Sequence, residues 1–210
     1  MRAMAAQFYA NLFASEGSRS VERVLQHIDA MVTEEMNAKL CAPFTDKEIE
    51  VALFQMGPTK APGPDGFPAR FFQRHWSVMK DKIVAAVKLF FATRVMPEGV
   101  NSTTIILIPK VDSPTGLSDF WPISLCNVIY KVIAKCLVNR LRPILDEIVS
   151  PVQSAFVPGW LITDNILMAY EISHFLMNKR AGKEELAAVK VDMSKAYDRV
   201  EWSFLEAMMI

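Results

Sequence analysis

Apolar positions recur at helical spacing through the first hundred residues. Phe8, Leu12 and Phe13 make one apolar face, and Val21, Val24 and Leu25 begin another. Thr45 and Glu48 have capping-box spacing, and Ile49, Ala52, Leu53 and Met56 follow at helical period. This predicts a helix from Thr45 that stops at Gly57-Pro58. Phe67-Pro68 begins another, with Pro68 suited to its first turn and Phe71, Phe72 and Trp76 on its buried side. Residues 81–94 predict a further amphipathic helix, ending near Met96-Pro97.

The period then changes. Thr103 to Ile108, TTIILI, is rich in β-branched residues and predicts a strand ended by Pro109. Val111 to Leu117 holds Asp112, Ser113, Pro114 and Gly116 and reads as a hairpin loop, from which Ser118 to Leu125 returns. Asn127 to Ile144 is expected to be the longest helical segment, with Asn127 as its N-cap and Val128, Val132, Ile133, Leu137 and Leu141 at its apolar positions. After Ser150-Pro151, Thr163 or Asp164 caps a helix to about Asn178, with Ile166, Tyr170, Ile172 and Leu176 inward. Ala187 to Val191 predicts another strand, followed by Asp192 and a helix-like run from Met193 to Val200. Phe204, Leu205 and Met208 start one more helix. The pattern is α+β, with a soft boundary near Gly99 that divides residues 1–99, a helical N-terminal extension, from residues 100–210.

At 51% hydrophobic residues the chain has ample material for a core. A net charge of zero and a pI near 6.8 argue against a whole-surface nucleic-acid binder. They leave room for a local basic stripe, because phosphate contacts act within roughly 8–10 Å. The three cysteines, Cys41, Cys126 and Cys136, have no paired metal spacing and read as reduced, buried thiols of an intracellular protein, in nucleus or cytoplasm. Gln7 and Asn11 interrupt the N-terminal apolar stretch, so it makes a poor signal peptide. No apolar run approaches the roughly 20 residues of a membrane span.

Three stretches carry candidate chemistry. Asp192, at a strand end before a tight turn with free N–H groups, suits a metal–phosphate site; it equally suits a plain helix N-cap. In Lys60 to Gly66, KAPGPDG, Pro62 and Pro64 fix two φ angles while Gly63 and Gly66 permit positive ones. That makes a stiff loop with one cation, or an ordinary interhelix turn. Lys131, Lys135 and Arg142 share a helix face, either as a phosphate-tracking stripe or as a solvated face.

Six blocks stand in one order: Lys60–Gly66, IILIPK at 105–110, DFWPISLCN at 119–127, YKVIAKCLVNRL at 130–141, QSAFVPGWLITDN at 153–165 and DMSKAYDRVEW at 192–202. In that order they resemble the reverse transcriptases of non-LTR (LINE-like) retrotransposons, especially the kind common in plant genomes. The resemblance implies the fingers and the start of the palm of a right-hand polymerase fold within residues 100–210. It implies template-directed dNTP addition with two Mg²⁺ ions, on an RNA template and a DNA primer, with no membrane and no obligate protein partner. Asp192 matches the first of three catalytic aspartates, and the Met193 carbonyl a further metal ligand. Lys195 and Ala196 N–H groups and Lys110 match contacts to the triphosphate, and Tyr197 the gate against a ribose 2′-hydroxyl. Lys60, Lys131, Lys135 and Arg142 are the candidate nucleic-acid contacts.

Two departures stand out. Trp121 and Trp160 occupy positions where the family pattern has arginine, and an indole cannot give a guanidinium's bidentate phosphate contact. Each is one C-to-T change from CGG, which suggests a decayed copy. The later Ala-Asp-Asp hairpin and the glycine-containing block before it do not occur in these residues. The expectation is a catalytically incomplete fragment that binds Mg²⁺ weakly or not at all; the alternative is a non-catalytic RNA/DNA-binding remnant or a functionless pseudogene product. No primer extension on an RNA template is expected from the purified chain; extension abolished by Asp192→Ala would overturn this.

Overall fold

The computed structural model describes residues 2–15, 17, 21–150, 153, 159, 161–179, 186–189, 191 and 199–210. In chain order its elements are α1 (Arg2–Leu12), α2 (Val21–Leu25), α3 (Glu34–Cys41), α4 (Asp46–Phe54), α5 (Ala69–Arg74), α6 (Trp76–Thr93), β1 (Thr103–Pro109), β2 (Phe120–Cys126), α7 (Val128–Leu141), α8 (Leu145–Ile148), α9 (Ile162–Asn178) and α10 (Trp202–Met209). They fall into two compact units, Val32–Ile148 and Met1–Met31 with Val149–Ile210.

In the unit Val32–Ile148 the core is helical. Ile49, Ala52 and Leu53 of α4 meet Phe72 of α5, Val84 and Val87 of α6, and Val128, Val132 and Cys136 of α7. The capping box at Thr45 forms: the Thr45 hydroxyl accepts from Glu48 N at 3.2 Å, and the Glu48 carboxylate accepts from Thr45 N at 2.8 Å. At the other end of α4, Gln73 Nε2 donates to the carbonyls of Leu53 and Met56, both at 3.0 Å, so a side chain of α5 adds to the backbone bonds that close the helix.

One guanidinium joins α7 to the start of α4. Arg140 Nε and Nη2 hold the two Glu48 oxygens at 2.7 and 3.0 Å. Its remaining N–H groups donate to the carbonyls of Leu40, Ala42 and Pro43, so all five donors are used. The plane lies 3.4 Å from the centroid of Phe44, which stacks on Phe91 of α6 at 4.0 Å.

The loop after α4 is pressed onto the junction between β2 and α7. Asn127, 6% exposed, is the N-cap residue of α7 as expected, but its side chain makes no cap hydrogen bond. Its Oδ1 accepts from Asp65 N at 3.3 Å and its Nδ2 donates to Gly99 O at 2.9 Å, tying the loop and the segment before β1 to one point. Gly63 is there for clearance rather than for a positive φ: a Cβ on it would collide with Asn127 and stand 2.6 Å from the Cys126 carbonyl carbon. Gly66 does take a positive φ, 75°, with open space around it.

Several expectations are corrected. The helix expected over 81–94 starts at Trp76, and at 18 residues α6 is longer than the 14-residue α7. His75 leaves helical geometry at φ −102° and ψ 21°, which puts Trp76 on α6 rather than α5, and Pro68 is the N-cap of α5 rather than its first residue. Leu137 is exposed; the buried position on that turn of α7 is Cys136. Cys41 is exposed and Cys126 half-buried, so of the three thiols only Cys136 is buried, and burial pushes it up to about 11.

The hairpin forms as expected, antiparallel from Thr103↔Cys126 to Pro109↔Phe120. Its apolar residues stay largely in solvent, with Ile105, Ile108 and Ile123 all more than 40% exposed. Its loop is closed by Asp119, whose carboxylate accepts from Thr115 N at 2.9 Å and Gly116 N at 3.1 Å. These two backbone donors hold that carboxyl below its usual range.

In the unit Met1–Met31 with Val149–Ile210, Tyr9 is buried among Phe8 and Phe13, and Ser15 Oγ donates to Glu201 at 2.6 Å. Helix α9 ends at Asn178 as expected, but Leu161 is its N-cap, with Asp164 reaching back to Leu161 N at 2.8 Å. Ile166, Tyr170 and Ile172, expected inward, are exposed. Periodicity says which residues share a face; it does not say whether anything covers it. The strand expected at Ala187 to Val191 is absent at its described positions, where Val189 and Val191 are each 82% exposed. β-prone residues form a strand only where an edge pairs their N–H and C=O groups, and among the described residues the sheet consists of β1 and β2.

Two measurements test this packing. Gly63→Ala should lower stability toward the upper end of about 1–3 kcal/mol, because backbone must move. Gly66→Ala should cost only about 1 kcal/mol of left-handed strain. Urea midpoints read both, and a reversed order would mean the loop is not pressed on Asn127. The second concerns acid. The Arg140 contact, helped by Thr45, brings the Glu48 carboxyl down to about 2 from an ordinary 4.5. Its folded pKa lies below its unfolded one, so the stabilisation is full above about pH 4.5 and lost as pH falls toward 2. Glu48→Gln should flatten the fall in urea midpoint across that window.

Candidate nucleic-acid interface

Lys131 and Lys135 stand one turn apart on α7, and both face the loop that follows α4. Lys60 comes from that loop. Its stem lies over Gly57, where an added Cβ would come within 3.2 Å of Lys60 Cγ, so the small residue lets the chain lie flat. Lys131 Nζ donates to Ala61 O at 3.0 Å, which fixes the ammonium and leaves two further N–H donors. The three lysines border a hollow of about 380 Å³ with no carboxylate in its lining. Among the described residues none of the three has a salt-bridge partner.

Arg142 lies beside a second hollow, of about 420 Å³, with Lys47 and Asn139. The two hollows share Gln55, the residue that ends α4. From Lys131 to Arg142 the helical rise spans about 16 Å. The fourth base of this stretch, Arg140, belongs to the fold, since every N–H it has is already bonded within the protein. Gln55 and Tyr130 were not expected at the site; Tyr130 could have been found from its place beside Lys131, whereas Gln55 carries no signal until α4 is packed on α7.

Lys110 does not join this group. Its backbone N–H extends the hairpin ladder to Asp119 O at 2.7 Å, and its ammonium donates to Ser118 O at 2.7 Å. The same ammonium sits 4.5 Å from the centroid of Trp121, the indole in the place of the family arginine.

Asp192, Met193, Lys195, Ala196 and Tyr197, expected to hold metal and nucleotide, lie outside the described residues. Among those described, no group of three or more His, Cys, Asp and Glu could hold a metal ion, and no helix is long and apolar enough to cross a membrane.

Residues 108–209 match the family of reverse transcriptase (RNA-dependent DNA polymerase). Over 207 residues the chain is 31% identical to the transposon TX1 uncharacterized 149 kDa protein of Xenopus laevis, an alignment covering 98% of this chain and 16% of that protein. The chain therefore spans about a sixth of that relative's length.

Proposed function

We propose that this chain is part of the reverse transcriptase of a LINE-like, non-LTR retrotransposon of the plant type, and that it holds the nucleic-acid strand along α7. In this reading residues 1–99 are the family's helical extension, and residues 100–210 are its fingers and the start of its palm. The observation that carries the binding role is the grouping of Lys60, Lys131 and Lys135 around one hollow free of acids, with Arg142 beside the next. A chain of zero net charge has no overall charge to draw phosphates in, so the attraction is carried by local basic groups.

Asp192 and the Met193 carbonyl offer oxygen donors of the kind Mg²⁺ takes, and bound Mg²⁺ supplies charge neutralisation at a phosphoryl group. Lys195 and Ala196 would meet the triphosphate, and Tyr197 would exclude a 2′-hydroxyl. A second reading, in which the chain binds nucleic acid without adding nucleotides, is favoured by one observation. The Lys110 ammonium is held by Ser118 O and lies against the Trp121 ring, so the hairpin offers a triphosphate one cation beside a neutral indole.

Salt-dependent binding tests the reading. A single-stranded RNA should bind with log affinity falling by about 0.7 per phosphate contact for each decade of salt. Lys60→Ala and Lys135→Ala should each weaken binding and reduce that slope by about 0.7. Lys131→Ala is less clean, because it also frees Ala61 O. Binding that ignores salt, or ignores these substitutions, would overturn the proposal.

A further inference from the structure

The hollow bordered by the three lysines is not a bare cationic surface. Its walls are mainly apolar, from Met56, Val128, Ala134 and Val138, with Tyr130 and Gln55 adding an aromatic ring and an amide. A ligand that were only phosphate and sugar would leave those walls wet. An apolar ligand without charge would leave the ammonium groups on the rim unused. The occupant that satisfies both has a flat, largely apolar body flanked by anions. Resting on the reading above, we propose that this hollow seats one unpaired nucleobase of a single strand, with the phosphates on either side of it held by Lys60, Lys131 and Lys135.

The dimensions agree. About 380 Å³ lies at the small end of ligand pockets, room for one nucleoside and far too little for a duplex. Gln55 presents both a donor and an acceptor, the pair needed to meet a base edge. Lys131, steadied by Ala61 O, fixes where the backbone passes. The neighbouring hollow, reached across Gln55, carries Arg142 but is also lined by Glu48, and its Lys47 is paired with Glu50 at 3.1 Å, so the strand's seat is the hollow of the three lysines.

The test compares two probes on the 210-residue chain: single-stranded RNA of about six nucleotides, and a sugar-phosphate chain of equal length and charge without bases. The abasic chain should bind at least about fivefold more weakly, with the same salt slope. Ala134→Leu fills the hollow and leaves the lysines; it should erase the difference between the probes. As a check that needs no variant, 2-aminopurine within the strand should be shielded from acrylamide quenching on binding. Equal affinity of the two probes, or a preference that survives Ala134→Leu in a folded protein, or full quenching of bound 2-aminopurine, would overturn the base seat. If equal affinity comes with a steep salt slope, the phosphate-binding reading stands without it. If neither probe binds, both readings fall.

Discussion

The unit from Val32 to Ile148 depends on one saturated guanidinium. Arg140 spends all its N–H groups on Glu48 and on three carbonyls of the chain just before α4, and it lies flat on Phe44, which lies on Phe91. A buried charge is costly when any donor is left without a partner, and here none is. The arrangement sets how α7 sits against α4, and that crossing decides which side of α7 is left to face outward. Lysine could not substitute for it, since an ammonium has three donors and no plane to stack.

From that crossing the rest of the interface follows. With Val128, Val132 and Cys136 turned into the core, Lys131 and Lys135 are left at its margin beside the loop from α4. Asn127 then pins that loop, and Gly63 lets it come close enough. Lys60 is therefore a neighbour of Lys131 through packing, although 71 positions separate them in sequence. The Lys-Ala-Pro-Gly-Pro-Asp-Gly block is thus chiefly architectural, with one cation presented at its edge.

Much of this was legible beforehand. Thr45 with Glu48 announced the start of α4, TTIILI announced β1, and the spacing of Lys131, Lys135 and Arg142 announced a shared face. What could not be read was tertiary. Asn127 stands at the N-cap of α7 as read, but its side chain is taken by a packed loop and not by the helix's first turn. The role of Arg140 was hidden, because nothing local reveals that Glu48 waits 92 positions away. Ile166, Tyr170 and Ile172 share a face as read, yet a face needs a cover before it becomes a core. The segment holding Asp192 to Tyr197 rests on the resemblance alone.

Glu48 has two employments at once. One oxygen pair both closes the first turn of α4, through Thr45, and receives the guanidinium of a distant helix. Ordinarily the first turn of a helix frays by itself, at little free-energy cost. Here opening that turn also breaks the carboxylate's hold on the guanidinium of a distant helix, so fraying at the start of α4 costs more than in an ordinary first turn.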